Sequence, residues 1–220
     1  VVSDEQRIYF AEHYSRTCIT IPTAVNMPDP EEVDSEILSR YSIEKGRYFL
    51  YLGRLVQDKN PDYLIKAFRK AKADGYKLVI AGSNDQLPEY VAHLHALAEG
   101  SDDIIFTGAV YGADKSTLLR HCIAFCIPST IEGLAITLFE AMSYGRICIA
   151  SDIPSNREGL GENGIWVPAE DVDTLTEKID FVIKNYTQLK HLEQKNLERV
   201  KQNFTWDIVA KRYVEYIHKL

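Results

Sequence analysis

Two stretches of the chain bring together residue types that could handle an anionic ligand. The first is Gly53-Arg-Leu-Val-Gln-Asp-Lys-Asn-Pro61, in which Lys59 follows Arg54 by five residues. A glycine such as Gly53 lets a ligand approach the backbone closely. Two cations on one loop suit a diphosphate, because each charge-assisted hydrogen bond contributes roughly 1.5–3 kcal/mol. Taken alone, an Arg and a Lys in a loop are more often simply solvated. The second stretch, Pro128-Ser-Thr-Ile-Glu-Gly-Leu-Ala-Ile-Thr-Leu-Phe-Glu-Ala-Met-Ser-Tyr-Gly145, is more specific. Glu132 and Gly133 lie just before a helical pattern, whose free N–H groups and partial positive charge form a ready anion site. Glu140 follows eight residues later, on the helix itself. Two glutamates at that spacing are common by chance; their position at a strand exit is what gives them weight.

These residues need elements to position them, and the sequence supplies a regular series. Apolar runs at 48–53, 77–82, 104–108, 123–128, 146–150 and 164–168 alternate with helical patterns near 61–73, 86–99, 114–121, 135–144 and 172–184. Strands that are apolar throughout and alternate with helices predict an α/β fold, a Rossmann-like parallel sheet with helices on both faces. Two further helices are expected near 187–202 and 206–219. Before residue 46, the sequence predicts a helix over 4–15, a short strand over 17–21 and a loop over 22–30, with a soft boundary at 28–45 where Pro-Asp-Pro-Glu-Glu-Val-Asp intervenes. Ligands of such sheets bind beyond the carboxyl ends of the strands. That rule selects the loops after Leu52, Ala81, Phe106 and Ile127, and so both stretches above.

Composition narrows the function classes. A chain of 220 residues makes one large domain or two small ones at ~100–200 residues each. With 45% hydrophobic and 26% charged residues, it can bury a core and is not disordered as a whole. No apolar run approaches the ~18 residues of a membrane span, and no secretory signal opens the sequence. A formal net charge of −7 argues against nonspecific nucleic-acid binding while leaving room for a local basic pocket. The four cysteines include no C-x-x-C pair, so Cys122, Cys126 and His121 are not read as metal ligands. Cys126 and Cys148 sit in apolar strands and read as small buried hydrophobes suited to a reducing cytoplasm. His93 and His95, two apart on a helix, point to different faces.

Two motifs are decoys. Gly159-Leu-Gly-Glu-Asn-Gly164 spells the dinucleotide fingerprint but precedes a strand, where a dinucleotide site needs it to follow one and open a helix. Asp171-Val-Asp173 spells a metal-binding D-x-D, yet it opens a helical run and reads as an N-cap.

Pro128–Gly145 resembles the E-x7-E signature of the group 1 retaining glycosyltransferases, in the Pro-Ser, the Glu-Gly, the Glu-Ala-Met and the closing Gly. Gly53–Asn60 resembles that family's phosphate loop. The segment 151–175 resembles the family's stretch just after the signature, and 203–217 its closing helix. The resemblance runs from about Val2 to the end and is densest over 48–183. It implies the C-terminal, donor-binding half of a GT-B fold. Residues 1–45 would be an interdomain segment from a preceding domain, 46–203 the nucleotide-sugar-binding domain and 204–220 the closing helix. The abrupt Val1 start, without an initiator Met, agrees with a fragment, inactive by itself.

The same resemblance implies roles. Arg54 and Lys59 would hold the donor diphosphate and, with Glu132, form the catalytic set. Backbone N–H groups around Gly133, Leu134, Ala135 and Ile136 would bind phosphate oxygens. Glu132 would hydrogen-bond the transferred sugar, and Glu140 the ribose hydroxyls. Val110 would border the base with Lys115 near it, Ser83 would lie by the sugar or phosphate, and Gly53 would line the donor site. The expected chemistry is metal-independent glycosyl transfer in polysaccharide biosynthesis, with configuration retained and with no cofactor. The substrate would be a nucleotide-diphosphate sugar. The acceptor would be a saccharide or lipid-linked saccharide held mainly by the preceding domain, with peripheral membrane association of the whole protein in the cytoplasm and no nucleic-acid partner. Two departures stand out: Leu134-Ala135 where the family often has Phe-Gly, which narrows the expected sugar pocket, and Asn60 where it commonly has Gly. A nucleotide-sugar epimerase or phosphorylase on the same architecture, and a noncatalytic nucleotide-binding module, remain as alternatives. A phosphorylase would need a cofactor lysine on a motif the chain lacks.

Overall fold

The computed structural model describes residues 1–218. The six apolar runs become six strands: β1 (Tyr48–Leu52), β2 (Lys77–Ala81), β3 (Ile104–Gly108), β4 (Ala124–Ile127), β5 (Ile147–Ser151) and β6 (Ile165–Val167). They form one sheet in the order β3-β2-β1-β4-β5-β6, with every pairing parallel. Every residue of β4 and β5 is buried, which is why these strands show no alternation. Along β1, Phe49 and Tyr51 enter one core layer while Tyr48 and Leu50 enter the other.

Helices α3 (Pro61–Lys70), α4 (Pro88–Ala98) and α8 (Val172–Asn203) cover the first face, through Leu64, Ile65, Leu94, Leu175 and Ile179. Helices α5 (Gly112–His121), α6 (Ile136–Ser143) and α7 (Pro154–Leu160) cover the second, through Leu118, Leu138, Phe139 and Leu160. The winding reverses between β1 and β4. This is the switch point at which open α/β sheets bind ligands, and it sets the two chemistry-bearing loops side by side.

The structure departs from the sequence reading in several places. The helices expected at 172–184 and 187–202 are a single 32-residue helix. The stretch between them holds no Gly or Pro to break the helix, and buried Leu189 and Leu192 continue its apolar stripe. Residues 17–21 form no strand; the nearby ladder contact is an isolated parallel bridge from Val25 to Thr205. The apolar run 104–108 is a strand along its whole length, so the loop placed after Phe106 begins after Gly108. Short helices α2 (Ile37–Arg40) and α7 escape periodicity because they offer few turns to read. The N-terminal helix α1 spans Asp4–Tyr14, capped by Ser3, and α9 spans Trp206–Ile217; residues 219 and 220 of the expected closing helix lie outside the described residues. Asp171 caps α8 as expected, accepting from the Thr174 N–H at 2.9 Å. Cys122, Cys126 and Cys148 are buried and unpaired. Among the described residues no helix is long and apolar enough to cross a membrane.

Polar links fasten the first 45 residues to the sheet. The Asp4 N–H at the start of α1 donates to both carboxylate oxygens of Glu158 on α7, at 3.1 and 2.9 Å. Asp34 accepts from Lys45 at 2.6 Å and Arg120 at 2.7 Å, and pairs with His121 Nε2 at 2.7 Å. The hydrogen bond from Lys45, with those from His121 and Arg120, holds the Asp34 carboxyl far below the usual carboxylate range. A depressed folded pKa contributes stability that is present above the unfolded value of ~3.9 and is lost as pH falls toward the folded value. Asp34→Asn is therefore expected to lower the thermal midpoint at pH 7, with the gap to the parent narrowing as pH drops through 4 toward 2. A gap in differential scanning calorimetry that stays constant across that range would remove this role from Asp34.

Candidate functional site

The loop after β1 turns through a 3₁₀ turn, Gln57–Lys59, into Asn60, which stands at φ +50°. That left-handed position suits Gly or Asn, and Asn60 fills it. The asparagine adds a contact that glycine lacks: its buried Nδ2 donates to the Pro128 carbonyl at 3.1 Å, at the start of the loop after β4. The two loops are joined at three further points. The Thr130 N–H donates to the Asp58 carbonyl at 2.9 Å, Lys59 Nζ donates to the Ile131 carbonyl at 2.7 Å, and Lys59 Nζ pairs with Glu132 Oε2 at 3.0 Å. The other carboxylate oxygen of Glu132 accepts from Ser129 Oγ at 2.7 Å. Ser151 Oγ donates to the Ser129 carbonyl and is itself met by Asn156 Nδ2 at 3.0 Å. Glu132 is thus held from both sides.

Beyond Glu132 the chain enters α6 through Ala135, which has ordinary extended angles (φ −71°, ψ 113°) and provides no side-chain cap. Glu140, one turn into α6, pairs with Lys115 Nζ of α5 at 2.6 Å. Arg54 is exposed and forms no ion pair within the described residues, while its carbonyl accepts from the Tyr51 hydroxyl at 2.7 Å. Burial raises the Tyr51 pKa well above its ordinary value, so that hydroxyl remains a donor.

Two adjoining cavities, of about 410 and 290 Å³, share Leu52, Gly53, Arg54 and Thr137. Lys59, Glu132, Leu134, Ala135 and Ile136 line the larger; Ser83, Val110, Lys115 and Glu140 line the smaller. Eleven of the twelve residues singled out from the sequence therefore meet in one cleft across the switch point. Gly133 lines neither cavity. It lies against α1, where a side chain would meet Gln6 Nε2 at 3.3 Å and Val2 at 3.7 Å. Sequence reasoning missed Thr137, which lies on both cavities, and Tyr111, 79% exposed at the mouth beside Val110. The Tyr111 signal was available, as an aromatic residue in a strand-to-helix loop. Thr137 carried none. Among the described residues, no three His, Cys, Asp or Glu side chains converge as metal ligands.

Residues 34–199 match the family model described as glycosyl transferases group 1. An uncharacterized glycosyltransferase of Methanocaldococcus jannaschii is 29% identical over 171 residues, which cover 76% of this chain and 44% of that protein. The phosphatidyl-myo-inositol mannosyltransferase of Mycobacterium leprae is 28% identical over 218 residues, covering 96% of this chain and 56% of that one. The chain thus spans about half the length of these curated relatives. In fold, it is similar to the Anabaena protein HepE solved with UDP and glucose, with a TM-score of 0.88 at 18% identity, covering 99% of this chain and 62% of that one.

The cleft depends on a close approach of backbones at its floor. The Gly53 N–H donates to the Ala81 carbonyl at 3.0 Å, and a Cβ on Gly82 would lie 1.8 Å from the Gly53 carbonyl oxygen. No side chain can move aside to relieve that overlap. Gly82→Ala is expected to destabilise the fold by ~1–3 kcal/mol or more. Gly133→Ala, facing the far end of a flexible glutamine, should cost much less. Urea denaturation of both variants tests the contrast, and equal midpoints would contradict it.

Proposed function

The chain belongs to the group 1 glycosyltransferases, and from that premise we propose that it is the donor-binding half of a retaining enzyme that transfers a sugar from a nucleoside diphosphate without a metal ion. The observation that carries this reading is the convergence of Arg54, Lys59 and the uncapped N-terminus of α6 on one cleft, flanked by Glu132 and Glu140. The Anabaena neighbour's complex with UDP supports a nucleoside diphosphate as the ligand class.

In this reading the bond between the anomeric carbon and the diphosphate oxygen breaks, the acceptor hydroxyl oxygen bonds to that carbon, and the hydroxyl proton passes to the leaving diphosphate. Negative charge then grows on the leaving phosphate. Arg54 has a whole guanidinium fork free to meet it, and Lys59 keeps one N–H beyond those given to Ile131 and Glu132, with the Asp58 carboxylate 3.8 Å away. Backbone N–H groups from Gly133 to Ile136 and the dipole of α6 add to the same field. These groups are already in place before charge develops, which is electrostatic preorganisation. Two cations and a helix terminus supply the charge that a divalent ion would otherwise provide. Glu132, fixed by Ser129 and Lys59, would accept from hydroxyls of the transferred sugar. Glu140 would accept from the ribose hydroxyls, exchanging part of its bond to Lys115. Val110 and Tyr111 would border the base, and Ser83 the sugar or phosphate. The acceptor, a saccharide or lipid-linked saccharide, would be held largely by a preceding domain.

Calorimetric titration with UDP, GDP, dTDP and ADP tests the reading. One of them should bind, with Arg54→Ala and Lys59→Ala each weakening it roughly tenfold to a hundredfold. Unchanged affinity in both variants would defeat the diphosphate assignment. Glu140→Ala should erode the preference for that nucleotide over inorganic pyrophosphate; undiminished selectivity would argue against a ribose contact.

A further inference from the structure

A separate cavity of about 790 Å³ opens on the first face of the sheet, where the N-termini of α3 and α4 meet the residues leading into α8. It is larger than either part of the donor cleft and falls within the ~300–1,000 Å³ of small-ligand sites. Its lining includes Gln57, Tyr63, Glu89, Tyr90, His93 and Glu170, and no Lys or Arg.

Three features mark it as built. Asp62, nine-tenths buried at its base, accepts from the Tyr90 hydroxyl at 2.9 Å and from Lys66 Nζ at 2.7 Å, which fixes the Tyr90 ring. Lys66 also lies 4.8 Å from the centre of the Tyr63 ring. Glu170 stands at φ +62°, a strained position for a residue with a side chain, of the kind retained at functional sites. The carboxylates of Glu89 and Glu170 and the Gln57 amide form no hydrogen bond or ion pair among the described residues.

This chemistry selects a ligand class. The starts of α3 and α4 each carry a Pro, which offers no N–H, and the wall has carboxylates and no Lys or Arg, so the cavity holds little to offset the charge of a phosphate. Flat Tyr63, Tyr90 and His93 rings offer apolar faces, and carboxylate and amide groups offer paired acceptors and donors for neighbouring hydroxyls. Gln57 and Asn60 belong both to this wall and to the turn that carries Lys59, so the cavity adjoins the donor cleft through one short strap. We propose that it is a saccharide-binding groove through which this half of the molecule adds its own hold on the sugar chain to be extended, beside the larger share held by a preceding domain; its service as an acceptor groove rests on the glycosyl-transfer reading above.

The test is a titration of the ¹⁵N-labelled chain, followed by NMR, with three probes: maltotriose, methyl α-mannoside and methyl N-acetyl-α-galactosaminide. At least one should shift the amides of Tyr63, Glu89, Tyr90 and His93. Tyr63→Ala and Glu89→Gln should each weaken it roughly fivefold to tenfold, while Arg54→Ala leaves it unchanged. Glu89 is exposed, so its variant keeps the fold if Tyr63→Ala does not. Shifts confined to the Arg54–Glu140 cleft, no shifts with any probe, or parental affinity in the folded variants would overturn the groove. Parallel titrations with UDP, GDP, dTDP and ADP separate the two ideas: saccharide binding with none of the four nucleotides bound would keep the groove and remove the donor reading.

Discussion

The cleft depends on the bridge that Lys59 makes between the loops after β1 and β4. Those strands are neighbours in the sheet, but their loops leave in opposite directions because the winding reverses between them. Nothing in the sheet itself fixes the distance between the loop tips. Lys59 does so by reaching the Ile131 carbonyl and the Glu132 carboxylate at once. Asn60 and Asp58, on either side of Lys59, bind the Pro128 carbonyl and the Thr130 N–H. The loop that carries Glu132 therefore has few ways to move without breaking several bonds together. The Lys59 and Glu132 side chains are only 17% and 11% exposed, so the pair sits where charge is screened least. Removing one partner would leave the other charge poorly solvated.

The same logic explains why the ion pairs at the cleft are compatible with binding an anion. Lys59 and Lys115 each face a glutamate, Glu132 and Glu140. A lysine ammonium has three donors and a carboxylate four acceptor sites, so each group retains capacity after pairing. The pairs hold long side chains in one geometry, and the ordering entropy of those side chains is lost during folding rather than on binding. Arg54 differs. It is exposed and without an ion-pair partner among the described residues, and can adapt to whatever arrives.

Much of this was legible in the sequence, and the remainder was hidden for identifiable reasons. The four inner strands β2, β1, β4 and β5 could be read because burial on both faces makes them almost continuously apolar, and the edge strands β3 and β6 because they keep short apolar runs though only partly buried. The loop residues Arg54, Lys59 and Glu132 could be read because strand exits identify the ligand end of such a sheet, and Glu140 because it follows Glu132 by eight residues on the helix that leaves that loop. Helix α8 was divided because its middle, Lys184–His191, is polar on the exposed side, and only buried Leu189 and Leu192 show that the stripe continues. The expected strand over 17–21 failed because β propensity without a neighbouring edge has nothing to pair with. The position of Gly133 beneath α1 is a contact between residues more than 120 apart, and no local pattern encodes it. Thr137 is indistinguishable from any helical threonine until α6 is set against the cleft.

Charge is distributed unevenly over the molecule. A chain with a net charge of −7 repels polyanions at long range, yet Arg54, Lys59, Lys115 and the start of α6 gather on one cleft. Opposing charges elsewhere are screened beyond a Debye length of ~8 Å at physiological ionic strength, whereas charges within the partly enclosed cleft act over shorter distances and are screened less. Local placement therefore decides which anion is accepted: a compact diphosphate can reach both loop cations at once, and an extended polyanion must also lie across the acidic surface. The cavity beside Tyr63 and Tyr90 shows the complementary arrangement, with carboxylates at its wall and no cation. The two cavities differ in charge character while sharing the strap Gln57–Asn60, so a single short turn separates a surface suited to phosphate from one suited to hydroxyl groups.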